Sequence, residues 1–213
     1  MSEGLFIVAE GIDGSGSTTL VEQLTAFFKS RGRPVHRTCE PSTGPMGAMI
    51  RQILSHRIVV HGEAGAMSPG WATMALLFAA DRLDHLEAEV LPRLEKGIMV
   101  ISDRYDLSSL AYQSATAPGD VERVVNWIRE LNRHARRPDL TLVLDVRPDI
   151  AASRRGSRGG SRELYEDPGL QERLAQAYAV AEELVPGDRV VHVDANQNVD
   201  AVLADAVAAI DRL

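Results

Sequence analysis

Residues 10–19 read Glu10-Gly11-Ile12-Asp13-Gly14-Ser15-Gly16-Ser17-Thr18-Thr19, directly after an apolar run and before an amphipathic pattern. Gly11 and Gly16, with a hydroxyl residue at Thr18, match G-x-x-x-x-G-K-[ST] at every place but one. Glycines let successive backbone N–H groups turn to one side. At a helix N-terminus such groups form a cradle for phosphate oxygens. On this reading Gly11, Asp13, Gly14, Ser15, Gly16, Ser17, Thr18 and Thr19 surround the phosphates of a nucleotide such as ATP. Thr18 then offers its hydroxyl to Mg²⁺.

The failing place is Ser17, where the pattern has lysine. That lysine neutralises the β- and γ-phosphates and follows the charge that moves during phosphoryl transfer. Its loss removes charge-assisted hydrogen bonds worth about 1.5–3 kcal/mol each, or roughly 10- to 150-fold in rate. A serine hydroxyl can bond a phosphate but carries no charge. Three explanations compete: another cation substitutes, the activity is lost, or the position has been altered.

A second anchor is Ser102-Asp103-Arg104-Tyr105, an acid at the end of an apolar run. In a chain with a phosphate loop, Asp103 suits a Mg²⁺ partner. A third feature is the segment 153–162, Ser-Arg-Arg-Gly-Ser-Arg-Gly-Gly-Ser-Arg, with Arg154, Arg155, Arg158 and Arg162. It is too basic and Gly-rich for a core, and reads as a mobile surface segment. No cysteine nucleophile or Ser-His-Asp arrangement competes. His56, His61, His85, His134 and His192 are scattered and read as structural or exposed.

These residues need a frame. Short apolar runs at 5–9, 34–39, 98–102, 140–146 and 189–193 suit buried parallel strands. Helical patterns at 17–31, 45–56, 69–96, 120–136, 168–185 and 199–213 lie between them. The alternation predicts an α/β, doubly wound parallel sheet, with ligands beyond the carboxyl ends of its strands. A length of 213 residues suits one domain. The net charge of −7 argues against a nucleic-acid polymer as partner. A single cysteine suits a reducing, cytoplasmic setting. Neither a signal peptide nor a membrane span is expected.

Taken together, the motifs resemble those of thymidylate kinases. The family's E-G-x-[DE]-G-x-G-K-T-T corresponds to residues 10–19 except at Ser17. An E-P segment follows as Glu40-Pro41-Ser42-Thr43-Gly44-Pro45. L-F-A-x-D-R appears as Leu77-Phe78-Ala79-Ala80-Asp81-Arg82. D-R-Y-x-x-S-x-x-A-Y-Q occupies 103–113, and R-P-D-L-x-x-x-L-D-V occupies 137–146. The match covers nearly the whole chain in the right order.

The resemblance implies a P-loop NTPase three-layer fold, a five-stranded parallel sheet flanked by helices. It implies one domain over 1–213 with a mobile lid around 153–165, commonly paired as a homodimer. It implies transfer from ATP·Mg²⁺ to dTMP. Phe78 would stack on the base, while Arg82, Ser109 and Gln113 would read its edge. Tyr112 would crowd the sugar 2′ position, Arg104 would bind the acceptor phosphate, and Asp13 would lie near both. Ser42 falls in the acceptor-side loop. Arg154, Arg158 and Arg162 are candidates for a catalytic lid arginine, though the lid departs from the common R-G-x-x-D-R-x-E pattern. Two other readings stay open: a non-catalytic nucleotide-binding relative, and a kinase for another pyrimidine nucleotide. After the last strand, residues 194–197 suit a loop near adenine, with Asn196 or Asn198 capping the final helix.

Overall fold

A computed structural model describes residues 3–63, 65–156, 164–165 and 167–213. The order is β1 (Phe6–Glu10), α1 (Ser17–Ser30), β2 (Val35–Cys39), α2 (Pro45–Leu54), β3 (Val60–Gly62), β4 (Gly65–Met67) and α3 (Trp71–His85). A π turn, Leu86–Val90, leads into α4 (Leu91–Leu94), β5 (Met99–Asp103), α5 (Asp106–Thr116) and α6 (Val121–Leu131). Then come β6 (Leu140–Asp145), α7 (Pro148–Gly156), α8 (Pro168–Tyr178), α9 (Ala181–Leu184), β7 (Val190–Asp194) and α10 (Val199–Ile210).

The five strands expected from the sequence form one parallel sheet, in the order β2-β5-β1-β6-β7. Helices flank it, as the α/β expectation requires. β1 lies at the centre, where Ile7 registers with Ile101 on one side and Leu140 on the other. All five of its residues are buried, which explains an apolar run without alternation. α1 returns over the sheet and buries Leu20, Val21, Leu24 and Phe28, a stripe at helical spacing. Chain reversal on either side of β1 opens a crevice at its carboxyl end, and the phosphate-loop motif begins there.

The helical pattern at 69–96 is interrupted. α3 ends at His85, and the π turn carries the chain to Pro92. Proline has no N–H to continue the ladder, and a wider turn accommodates that loss. The pattern at 120–136 stops at Leu131, where Asn132 turns its side chain onto the Ile128 carbonyl. The pattern at 168–185 divides into α8 and α9. The β3–β4 hairpin, α5 and α7 are absent from the pattern reading. Residues 153–156, read there as surface segment, belong to α7. Arg158 and Arg162 lie outside the described residues. Asn198 caps α10 through a 3.0 Å bond from the Ala201 N–H, whereas Asn196 accepts from the Arg147 N–H. Among the described residues, no helix is long and apolar enough to cross a membrane.

Gly47, in the first turn of α2, packs on the backbone of residue 42. A Cβ there would lie 2.0 Å from the Ser42 carbonyl oxygen. Gly47→Ala should therefore destabilise the fold by about 1–3 kcal/mol. Urea unfolding of the two proteins measures it, and an unchanged midpoint would show that α2 can move aside freely.

Candidate active site

The loop after β1 folds as its glycines require. Ser15 N–H donates to the Ile12 carbonyl at 3.0 Å, and Gly14 and Gly16 adopt φ of 87° and 100°, both left-handed. Gly14 also lies under α7: a Cβ there would be 2.4 Å from the Ala151 carbonyl oxygen. α1 starts at Ser17 with neither a capping side chain nor an acid in its first turn. Its leading N–H groups and positive dipole end are thus uncommitted by the helix itself, as an anion site needs. Ser17 is buried at the base of this turn.

Thr18 Oγ1 donates to Asp103 Oδ2 at 2.6 Å, joining the head of α1 to the end of β5. Asp103 Oδ1 is buried and has no hydrogen-bond partner among the described residues. A hydroxyl beside an incompletely satisfied carboxylate is an oxygen donor set that fits Mg²⁺. No cluster of three or more His, Cys, Asp or Glu side chains that could hold a metal occurs among the described residues.

α7 brings two arginines to the loop. Arg154 donates to the carbonyls of Ser15, at 3.2 Å, and Ala195, at 2.9 Å. Arg155 donates to the Asp13 carbonyl and lies 3.5 Å from Gln171 Oε1. Both contact backbone oxygens of the loop.

On the other side of Asp13 is a cavity of about 160 Å³. Phe78, Arg82, Arg104, Ser109, Tyr112 and Gln113 line it, together with Asp13. All seven were expected on the acceptor side. Arg104 has a left-handed backbone, φ 75°, an uncommon conformation for a side chain of this size. It is held by Asp13 Oδ1 at 2.6 Å, the Gly11 carbonyl at 2.9 Å and Ser108 Oγ at 3.2 Å. Burial opposes its charge, but Tyr112, Asp13 and other neighbours keep its pKa well above the ordinary value.

Arg82 is 1% exposed and ion-paired to Glu40 at 2.7 Å. It donates to Ser109 Oγ at 3.1 Å. Phe78 packs on the Ile50, Ile53 and Met74 cluster and also faces the cavity. Ser42 does not line the cavity. Its hydroxyl and N–H both donate to Asp81, at 2.6 and 2.7 Å, and its place is in the loop's internal bonding.

Residues that carried no assignment from the sequence complete the site. Tyr165 packs edge-to-face on Tyr112, at 5.3 Å between ring centroids. Gln171 donates to Asp13 Oδ2 at 3.0 Å and to the Tyr165 carbonyl at 2.8 Å. No local pattern marks either residue. Glu10 did carry a signal, a charge closing an otherwise apolar buried strand. Its Oε1 accepts from the N–H groups of Tyr105 and Ser108, at 2.8 and 3.1 Å. Its Oε2 accepts from Ser108 Oγ at 2.6 Å and Tyr178 OH at 3.0 Å.

A glycine loop on a parallel sheet, a Thr–Asp pair at its head and an arginine-lined cavity beside it define a P-loop phosphotransferase. Residues 9–206 match the model of the family described as thymidylate kinase. The chain is 37% identical over 205 residues to a probable thymidylate kinase of Pyrococcus horikoshii, covering 96% of this chain and 95% of that protein. It is 39% identical over 204 residues to a thymidylate kinase of Bifidobacterium longum, covering 94% of each. The chain belongs to the thymidylate kinase family.

Burial pushes the Glu10 carboxyl up from its ordinary 4.5 to about 7, against the lowering effect of Arg104 and its hydrogen bonds. The native state therefore keeps a proton that the unfolded state releases. Glu10's contribution is fully present below about pH 4.5 and is lost as pH rises through about 7. Relative to Glu10→Gln, the wild-type chain should lose about 3 kcal/mol of stability between pH 4.5 and 8. Urea unfolding of both proteins across that range checks this; a pH-independent difference would contradict it.

Proposed function

We propose that this protein transfers the γ-phosphoryl group of ATP, with Mg²⁺, to dTMP, giving ADP and dTDP. The relatives' name supports the substrate. The observation that carries the reading is the Arg104–Asp13 pair, which joins an arginine-lined cavity to the phosphate loop at 2.6 Å.

The loop N–H groups and the head of α1 hold the ATP phosphates. Arg104 holds the acceptor phosphate, and Asp13 sets the direction of its guanidinium. Phe78 stacks on the thymine, Arg82 and Gln113 meet its edge, and Ser109 steadies Arg82. Tyr112 closes the space beside the sugar. Thr18 and Asp103 would hold Mg²⁺, which when bound neutralises charge on the nucleotide phosphates. An acceptor phosphate oxygen is already anionic, so no strong base is needed. Catalysis is positioning and charge stabilisation. Segment 153–165 acts as the lid that excludes water.

The charge missing at Ser17 falls to the arginines of α7 and that lid: Arg154, Arg155, Arg158 and Arg162. The exposed Met46 and Met49 of α2, Ile58, Val60, Met67, and Leu76 of α3 support a homodimer face. A non-catalytic nucleotide binder rests on Ser17 alone, and the relatives' names do not favour it.

The decisive assay is ADP formation from ATP·Mg²⁺ and dTMP by the native chain and Ser17→Lys. Native turnover raised less than about tenfold by lysine is expected, because other cations stand near the loop. Silence from both proteins overturns the proposal. Asp103→Asn should lower kcat by about 10²-fold or more with little change in dTMP affinity, as checked by steady-state kinetics.

A further inference from the structure

α3 presents Phe78, Arg82 and His85 at i, i+4 and i+7, one face of the helix turned toward the acceptor cavity. The first two line the cavity. His85 lies behind them with its side chain 1% exposed, and both of its ring nitrogens have partners. Nδ1 is 3.4 Å from Glu40 Oε1. A carboxylate only accepts, so Nδ1 carries a hydrogen. Nε2 is 2.7 Å from Thr38 Oγ1.

Glu40 is the counter-ion of Arg82, with Oε2 at 2.7 Å from Nη2. Its carboxylate therefore faces Arg82 through Oε2, as an ion pair outside hydrogen-bond geometry, and His85 through Oε1. The Arg82 guanidinium has further contacts at Nη1 and across its face. Nη1 donates to Asn132 Oδ1 at 2.5 Å, and the Tyr105 ring lies 5.1 Å from its central carbon. Burial opposes the charge, yet Glu40 and Asp106 hold the Arg82 pKa above its ordinary value. Nε has no hydrogen-bond partner among the described residues.

The support continues outward. His36, on β2 with Thr38, has Nε2 2.6 Å from Glu89 Oε1 of the π turn. The π turn sets Glu89 against β2.

We propose that His85 is a positioning residue for acceptor binding: by holding the second oxygen of Glu40, it fixes the guanidinium plane of Arg82. The inference rests on the reading above that Arg82 meets the acceptor base.

The test is steady-state kinetics on Arg82→Lys, His85→Leu, His85→Asn and Thr38→Val, with KM for dTMP and for ATP measured separately. His85→Leu should raise the dTMP KM about tenfold, with the ATP KM and kcat within about twofold. His85→Asn, which can still present an N–H to Glu40, should recover most of that loss. Thr38→Val should raise the dTMP KM about threefold. Equal impairment in the Leu and Asn variants overturns the proposal, because space rather than the donor would be at stake. An unchanged dTMP KM in His85→Leu, with Arg82→Lys impaired, overturns it and leaves the reading of Arg82 standing. If Arg82→Lys also leaves the dTMP KM unchanged, that reading fails and the proposal with it. Should His85→Leu not fold, Thr38→Val decides by the same criterion.

Discussion

One buried carboxylate holds the centre of this molecule together. Glu10 ends the central strand, and its two oxygens accept four hydrogen bonds from Tyr105, Ser108 and Tyr178. These partners belong to the turn after β5, the first turn of α5 and the end of α8. The phosphate loop starts at the next residue, so the loop, the turn that carries Arg104 and α8 all take their positions from the same side chain. A group that collects four donors in a dry site is costly to leave unsatisfied. That cost makes the arrangement cooperative: the carboxylate keeps its place only while all three segments keep theirs.

Asp13 extends the same logic into the site. One of its oxygens pairs with Arg104 and the other accepts from Gln171 of α8, while its carbonyl accepts from Arg155 of α7. Three directions of approach converge on one residue of the phosphate loop. Gln171 also donates to the Tyr165 carbonyl, and Tyr165 packs on Tyr112 in the cavity wall. The cavity wall and the phosphate loop therefore share supports through Gln171. The left-handed backbone of Arg104 is maintained by this bonding.

The serine at position 17 changes the electrostatics of the site rather than its shape. The glycine turns, the uncapped first turn of α1 and the Thr18–Asp103 bond are all present without lysine. What is gone is a fixed positive charge inside the loop. Arg154 and Arg155 restore positive charge nearby, but both are bonded to loop carbonyls. Hydrogen-bond geometry and charge balance are separable properties of such a loop, and only the first is written into its glycines.

The sequence by itself determined the five strands, the glycine loop and the order in which Asp103, Arg104, Phe78, Arg82 and Tyr112 occur. Buried parallel strands and phosphate turns leave local marks: continuous apolar runs, and glycines at set spacing. Only the tertiary structure decided that Glu10 is a hub, that Tyr165 and Gln171 complete the cavity, and that Ser42 is bonded to Asp81 outside it. It alone put His85 behind Glu40. Those features depend on contacts between residues 30 to 170 positions apart. A buried polar side chain reveals its role through the partners it meets in the folded chain, and periodicity carries no record of them.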